Sequence, residues 1–139
     1  MKRIFILFFL FLGCYKDSLY VQIENIRKDF LASHHVGTPD HRKKHPPIGQ
    51  RVIVSFDFSS SLLKKEPFIC LTVRFWDNRE IVKKREIKRR WGTEVFYFPN
   101  KEKNKILTYL VQIIDKEGKI IKKWEHQFWT DLIDIDKED

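Results

Sequence analysis

The chain has 139 residues, a formal net charge of +8, 42% hydrophobic and 14% aromatic residues, and two cysteines. Apolar side chains run through residues 15–133, which excludes a disordered chain lacking the surface to offset its conformational entropy. The length sets one domain, and two cysteines exclude a multiple-disulfide framework.

The first element is Lys2-Arg3, then the apolar run Ile4–Leu12, then Gly13 and Cys14. Nine apolar residues make an export signal and are too few to cross roughly 30 Å of hydrocarbon, which takes about 20. Leu10-Phe11-Leu12-Gly13-Cys14 resembles the lipobox-type signal of bacterial lipoproteins, with Phe11 and Leu12 bulkier than the usual residues. The resemblance implies cleavage before Cys14, a diacylglyceryl thioether on its sulfur and an acyl chain, such as palmitate, on its amine. Two or more chains, at about 0.8 kcal/mol per buried CH₂, hold stably in a bilayer. It also implies a bacterial cell-envelope location, and Tyr15 after the cysteine favours the outer over the inner membrane. On this reading residues 1–13 are the signal peptide and 14–25 a lipidated N-terminus and tether. The sandwich domain covers 26–133 and an acidic tail 134–139. Without Lys2 and Arg3 the net charge falls to +6.

Within residues 15–25, Leu19, Val21 and Ile23 alternate as in a strand, while Leu19, Ile23, Ile26 and Phe30 also fit one face of a helix. Ile26–Val36 is read as a weak strand. Four of the five histidines then fall in His34–His45, where His34, His35, Asp40, His41 and His45 form a candidate site for a transition metal such as Zn²⁺, Cu²⁺ or Ni²⁺. Arg42, Lys43 and Lys44 would repel a dication, so the plainer reading is a solvated basic loop.

Arg51–Phe58 alternates Val52, Val54, Phe56 and Phe58 with Arg51, Ile53, Ser55 and Asp57, the pattern of a strand with one face buried. Ser59-Ser60-Ser61 is a turn. Phe68–Phe75 repeats the alternation with Ile69, Leu71, Val73 and Phe75, and Cys70 within it is expected to be buried and inert. Asp77-Asn78 marks a tight turn. Arg79–Ile87 is read as an exposed edge strand whose cations discourage pairing with another chain. Arg79–Arg90 holds seven cations against Glu80 and Glu86, a local net of +5. Lys83, Lys84, Arg85, Lys88, Arg89 and Arg90 are therefore candidate partner-binding residues for an anionic surface; the alternative is a solvated strand that resists aggregation.

Thr93–Phe98 is a further strand, closed by Pro99-Asn100. Ile106–Ile114 and Lys119–Thr130 form a hairpin across Asp115-Lys116-Glu117-Gly118. Trp124 and Phe128 share parity and are expected in the core, leaving Trp129 partly exposed as a candidate contact residue. About seven strands without a long helix make an all-β fold that resembles an immunoglobulin-like or fibronectin type III-like β-sandwich. Tyr109 near the start of the penultimate strand and Pro46-Pro47-Ile48-Gly49-Gln50 before the second strand carry that resemblance. The Cys…Trp…Cys spacing of antibody domains is absent.

No Gly-rich phosphate loop, H-E-x-x-H, G-x-S-x-G or S-x-x-K motif is expected, and no cofactor is implied. The expectation is a lipid-anchored, non-enzymatic envelope protein. Its Ig-like domain binds a protein or an anionic envelope component rather than nucleic acid. The alternative is a soluble periplasmic or secreted protein that binds a metal or anion through His34–His45.

Overall fold

The structure is a computed structural model that describes residues 16–46, 48–99 and 105–131. The lipobox-like segment with Cys14, and the tail 134–139, lie outside the described residues. Seven strands are present: β1 (Ser18–Ile26), β2 (Gly49–Asp57), β3 (Phe68–Phe75), β4 (Glu80–Glu86), β5 (Trp91–Pro99), β6 (Ile106–Ile114) and β7 (Ile120–Glu125). They form two antiparallel sheets in the orders β1-β2-β5 and β4-β3-β6-β7. This is the all-β sandwich read from the alternation, and its strand order is compatible with an immunoglobulin-like fold.

The inner faces follow the period-2 pattern. Val52, Val54 and Phe56 of β2 meet Ile69, Leu71 and Val73 of β3 and Val111 and Ile113 of β6, all buried. Burying each such side chain contributes about 1.5–3 kcal/mol. Phe56 stacks on Phe58 along one side of the core with ring centroids 5.2 Å apart, and Phe75 of β3 meets Phe98 of β5 edge-on at 6.0 Å, an aromatic pair that bridges the two sheets.

Three turns are built as their residues dictate. Asn78 takes φ 64°, and two bonds close the β3–β4 turn: Phe75 N–H donates to the Arg79 carbonyl at 3.0 Å, and Asn78 N–H donates to the Phe75 carbonyl at 2.9 Å. Gly118 takes φ +87° in the β6–β7 turn, where the Asp115 carboxylate accepts from the N–H groups of Glu117 and Lys119 at 2.9 and 2.8 Å. Ser59 caps the short helical turn Ser60–Leu63, whose Leu62 is buried.

Three expectations are corrected. Residues 18–25, assigned above to a tether, belong to β1, which pairs with β2 from Ser18↔Asp57 to Ile26↔Gly49. The strand parity wins because it buries Leu19 and Val21, whereas the competing helical face would have relied on Phe30, which is exposed. Ile26–Val36 is not a strand beyond Ile26. Its remainder folds as a 3-10 turn at Lys28–Phe30 and a helical turn at Ala32–His35, since only Leu31 among its apolar side chains reaches the interior. Finally, β7 stops at Glu125 rather than Thr130, and Phe128 is 63% exposed instead of lying in the core.

Candidate functional site

The strand ends define two poles. One carries the start of β1, the end of β2, the start of β5 and the loops around residues 58–67, 87–90 and 115–119. The other carries the opposite strand ends and the long 27–48 connection.

At this second pole a cleft of about 490 Å³ opens between Ile23 of β1, Ile106, Leu107 and Tyr109 of β6, Trp76 and Phe128. Trp76 follows inward-facing Phe75 and therefore points out of the core; it is 65% exposed. Phe128 reaches the cleft because the chain turns after Glu125. His126 N–H donates to the Tyr109 carbonyl at 3.1 Å, and Trp129 N–H to the His126 carbonyl at 2.8 Å. The His126 ring lies tilted 4.9 Å from Tyr109 and meets Phe128 edge-on at 5.4 Å, with Nδ1 at 3.3 Å from the Thr108 hydroxyl. Nε2 is the ring nitrogen that the Thr108 contact leaves over. Burial pushes the Tyr109 phenol above its usual pKa, against a hydrogen bond from Trp124 that favours the charged form.

The cleft floor is fixed by Gln50. Its carbonyl oxygen accepts from Ile106 N–H at 2.7 Å and its amide nitrogen donates to the Asn25 side chain at 2.9 Å. Beyond Gln50 and Trp76 the cleft continues into a polar annex of about 290 Å³ that includes Arg27 and Lys105. Chemically, the arrangement offers aromatic faces and edges for a flat apolar group or a sugar ring, with cations to one side. Trp76, Gln50 and His126 carry no signal as a group in the sequence, because 26 residues or more separate each from the next. A tryptophan beside the Asp77-Asn78 turn, out of phase with the buried residues of β3, was the available signal.

The basic stripe is divided by the pleat. In β4, Lys83 pairs with Leu71 and Arg85 with Ile69, so both take the inner-face parity. They close the open edge between β4 and β5. Lys83 Nζ lies 4.2 Å from the Phe98 ring and donates to the Tyr97 carbonyl at 3.2 Å. The Arg85 guanidinium sits 4.6 Å over Phe96 and donates to Glu94 at 2.6 Å and to the Val95 carbonyl at 3.3 Å. Lys84 faces outward above Cys70, whose thiol pKa is pushed up by burial against the weaker pull of the Lys84 ammonium. Lys88 is near Glu86 at 3.6 Å, Arg89 reaches Glu94 at 4.0 Å, and Arg90 donates to the Phe58 carbonyl at 3.2 Å. The structure thus separates Lys83 and Arg85 from the more exposed Lys84, Lys88 and Arg89.

Trp129 is half-buried against the outer face of the β3 sheet, 4.6 Å from the guanidinium of Arg74. It is a packing residue there, with its indole N–H donating to Asp131 at 3.1 Å.

The histidine loop does not assemble as a metal site. Among the described residues no three His, Cys, Asp or Glu side chains converge on one point. Asp40 is taken by Arg42, through its guanidinium and its backbone N–H, and by the Ser33 hydroxyl, which together hold the Asp40 carboxyl well below the usual range. His35 Nε2 contacts the Asp29 carbonyl at 2.9 Å, and His34 meets His35 edge-on at 5.5 Å. His41 and His45 are exposed. Five potential ligands were brought close in sequence, but competition from one arginine removes the only carboxylate.

The expectation that no S-x-x-K motif is present is corrected: Ser61-Leu62-Leu63-Lys64 has that spacing of some serine nucleophiles. Ser61 Oγ meets Ser59 Oγ at 2.9 Å on an exposed single turn, and the turn is held to the core by Leu62. Among the described residues no helix is long and apolar enough to cross a membrane. A scan against protein-family models matches none, and searches of curated proteins and of solved structures return no match.

Proposed function

We propose that the protein is a lipid-anchored component of a bacterial cell envelope. Its single immunoglobulin-like sandwich would bind a protein or an anionic envelope component without catalysis. The observation that carries this reading is the order Lys2-Arg3, Ile4–Leu12, Gly13 and Cys14, with three residues between Cys14 and Ser18, where the first strand of the sandwich starts. Acyl chains on Cys14 would hold the domain at the bilayer, and the aromatic cleft at the far pole supplies a surface for a partner.

Metabolic labelling with a fatty-acid analogue tests the anchor. Wild type takes up label and enters the detergent phase on partitioning, and Cys14→Ser does neither; label that survives the substitution rules the anchor out. Crosslinking in intact cells tests the binding role. Charge reversal at Lys84, Lys88 and Arg89, or Trp76→Ala in the cleft, changes the set of crosslinked partners.

A further inference from the structure

The chain is clamped to the first pole almost as soon as it leaves Cys14. The Asp17 carboxylate accepts from Ser59 N–H at 2.5 Å, and the Asp17 carbonyl accepts from Lys122 Nζ at 2.5 Å, tying the residue to both sheets. Three residue steps from Cys14 to Asp17 span at most about 11 Å when fully extended. Ser18, Asp57 and Trp91 lie side by side on β1, β2 and β5, so at about 4.8 Å per strand Trp91 is about 10 Å from Ser18.

Trp91 is 72% exposed, the most exposed of the large hydrophobic side chains in the described residues, and it directly follows Lys88-Arg89-Arg90. Lys88 and Arg89 project into solvent, and Arg89 lies across Gly92, where an added Cβ would stand 3.1 Å from its Nε. The adjoining Lys16 adds another exposed cation. Asp57 is the register partner of Trp91, Glu86 and Glu94 stand beside Lys88 and Arg89, and Asp17, Glu66, Asp115 and Glu117 lie on the other strand ends and loops of this pole. An indole beside cations within a short reach of a lipid anchor has the composition of a bilayer-interface contact.

We infer that this pole docks on anionic phospholipid headgroups, with Trp91 at the interface and Lys88 and Arg89 against the phosphates. Resting on the acylation of Cys14 proposed above, the docking turns the aromatic cleft away from the bilayer. β3 spans the domain from Phe68 to Phe75, about 23 Å, so Trp76 stands clear of lipid.

Purified full-length protein is first checked by mass spectrometry for acyl chains on Cys14. It is then reconstituted into phosphatidylglycerol vesicles with brominated acyl chains, and tryptophan quenching is read for wild type, Trp91→Phe and Trp76→Phe. Most of the quenched intensity disappears in Trp91→Phe and persists in Trp76→Phe. Lys88→Glu/Arg89→Glu, phosphatidylcholine vesicles, and 1 M salt, where the Debye length is about 3 Å, each lower the quenching at least about twofold. A bare Cys14 sulfur overturns the anchor reading and the docking with it. Acylated protein in which Trp91→Phe quenches like wild type, or in which charge and salt change nothing, overturns the docking alone.

Discussion

Arg74 is 5% exposed on the outer face of its sheet because Trp129, from the segment after the last strand, covers its guanidinium at 4.6 Å. Glu80 accepts from Arg74 Nε at 2.8 Å and the Thr130 carbonyl accepts from NH1 at 2.9 Å, so the cation is paired on every side. The buried charge therefore acts as a clip that folds residues 126–131 over the sheet and thereby sets His126 and Phe128 at the cleft.

Trp129→Ala is expected to destabilise the domain by about 1–2 kcal/mol, since a desolvated cation–aromatic contact is lost and the arginine is exposed to water. Arg74→Ala should cost about 2 kcal/mol, less than the 3–5 typical of fully buried pairs because Glu80 remains partly hydrated. Urea denaturation of both variants measures this. In both, the fluorescence of an apolar dye bound at the cleft should fall; a cleft signal that survives loss of the clip would separate the two features.

The pleat makes opposite predictions for neighbouring cations. Arg85→Ala removes the guanidinium over Phe96 and its bond to Glu94, at an expected cost of about 1 kcal/mol with the Arg85 side chain still half exposed. Lys84→Ala, one residue away on the outer face, should stay within about 0.5 kcal/mol. Equal costs for the two would mean that Arg85 does not seal the edge.

Much of this architecture was legible because β-strand parity is a local property. Val52, Val54, Phe56 and Phe58, and Ile69, Leu71, Val73 and Phe75, announced which way each strand faces, and the turns at Asn78 and Gly118 needed residues that tolerate positive φ. β1 was ambiguous because the same apolar residues fit two periods, and only pairing with β2 chooses between them. The cleft was not legible at all. Ile23, Gln50, Trp76, Ile106 and His126 become neighbours through the folding of five separate strand ends, and no short-range pattern encodes that. The division of the basic stripe was readable in principle from parity, but charge invites counting along the chain instead of across the pleat.

Cys70 and Tyr109 give stability an alkaline limit. Burial raises the pKa of both groups in the folded state, so as pH climbs past about 8.5 for a thiol and 10 for a phenol the unfolded chain loses these protons first. It then binds fewer protons than the native state, and stability, fully present below those values, falls with rising pH. The urea midpoint should drop between pH 8 and pH 10.5, with a shallower fall in Cys70→Val. Native protein at pH 8 should react slowly with a thiol reagent and rapidly in urea. A midpoint that is flat or rising over this range contradicts the assignment.

The cleft residues should be dispensable for folding and necessary for contact. Trp76 and Phe128 keep most of their surface in water, so replacing either with alanine forfeits little burial and should shift the urea midpoint by no more than about 0.5 kcal/mol in free energy. Tyr109, by contrast, is buried beneath His126, and Tyr109→Ala should cost about 3–5 kcal/mol as a large-to-small core substitution. The informative comparison is between stability and ligand occupancy. Titration of the folded protein with an apolar fluorescent dye should give a bound signal that Trp76→Ala and Phe128→Ala each reduce severalfold while their midpoints hold. If the dye binds those variants as it binds wild type, the exposed aromatics are ordinary surface residues; if they unfold along with the loss of binding, the two rings belong to the core and the cleft is only its margin.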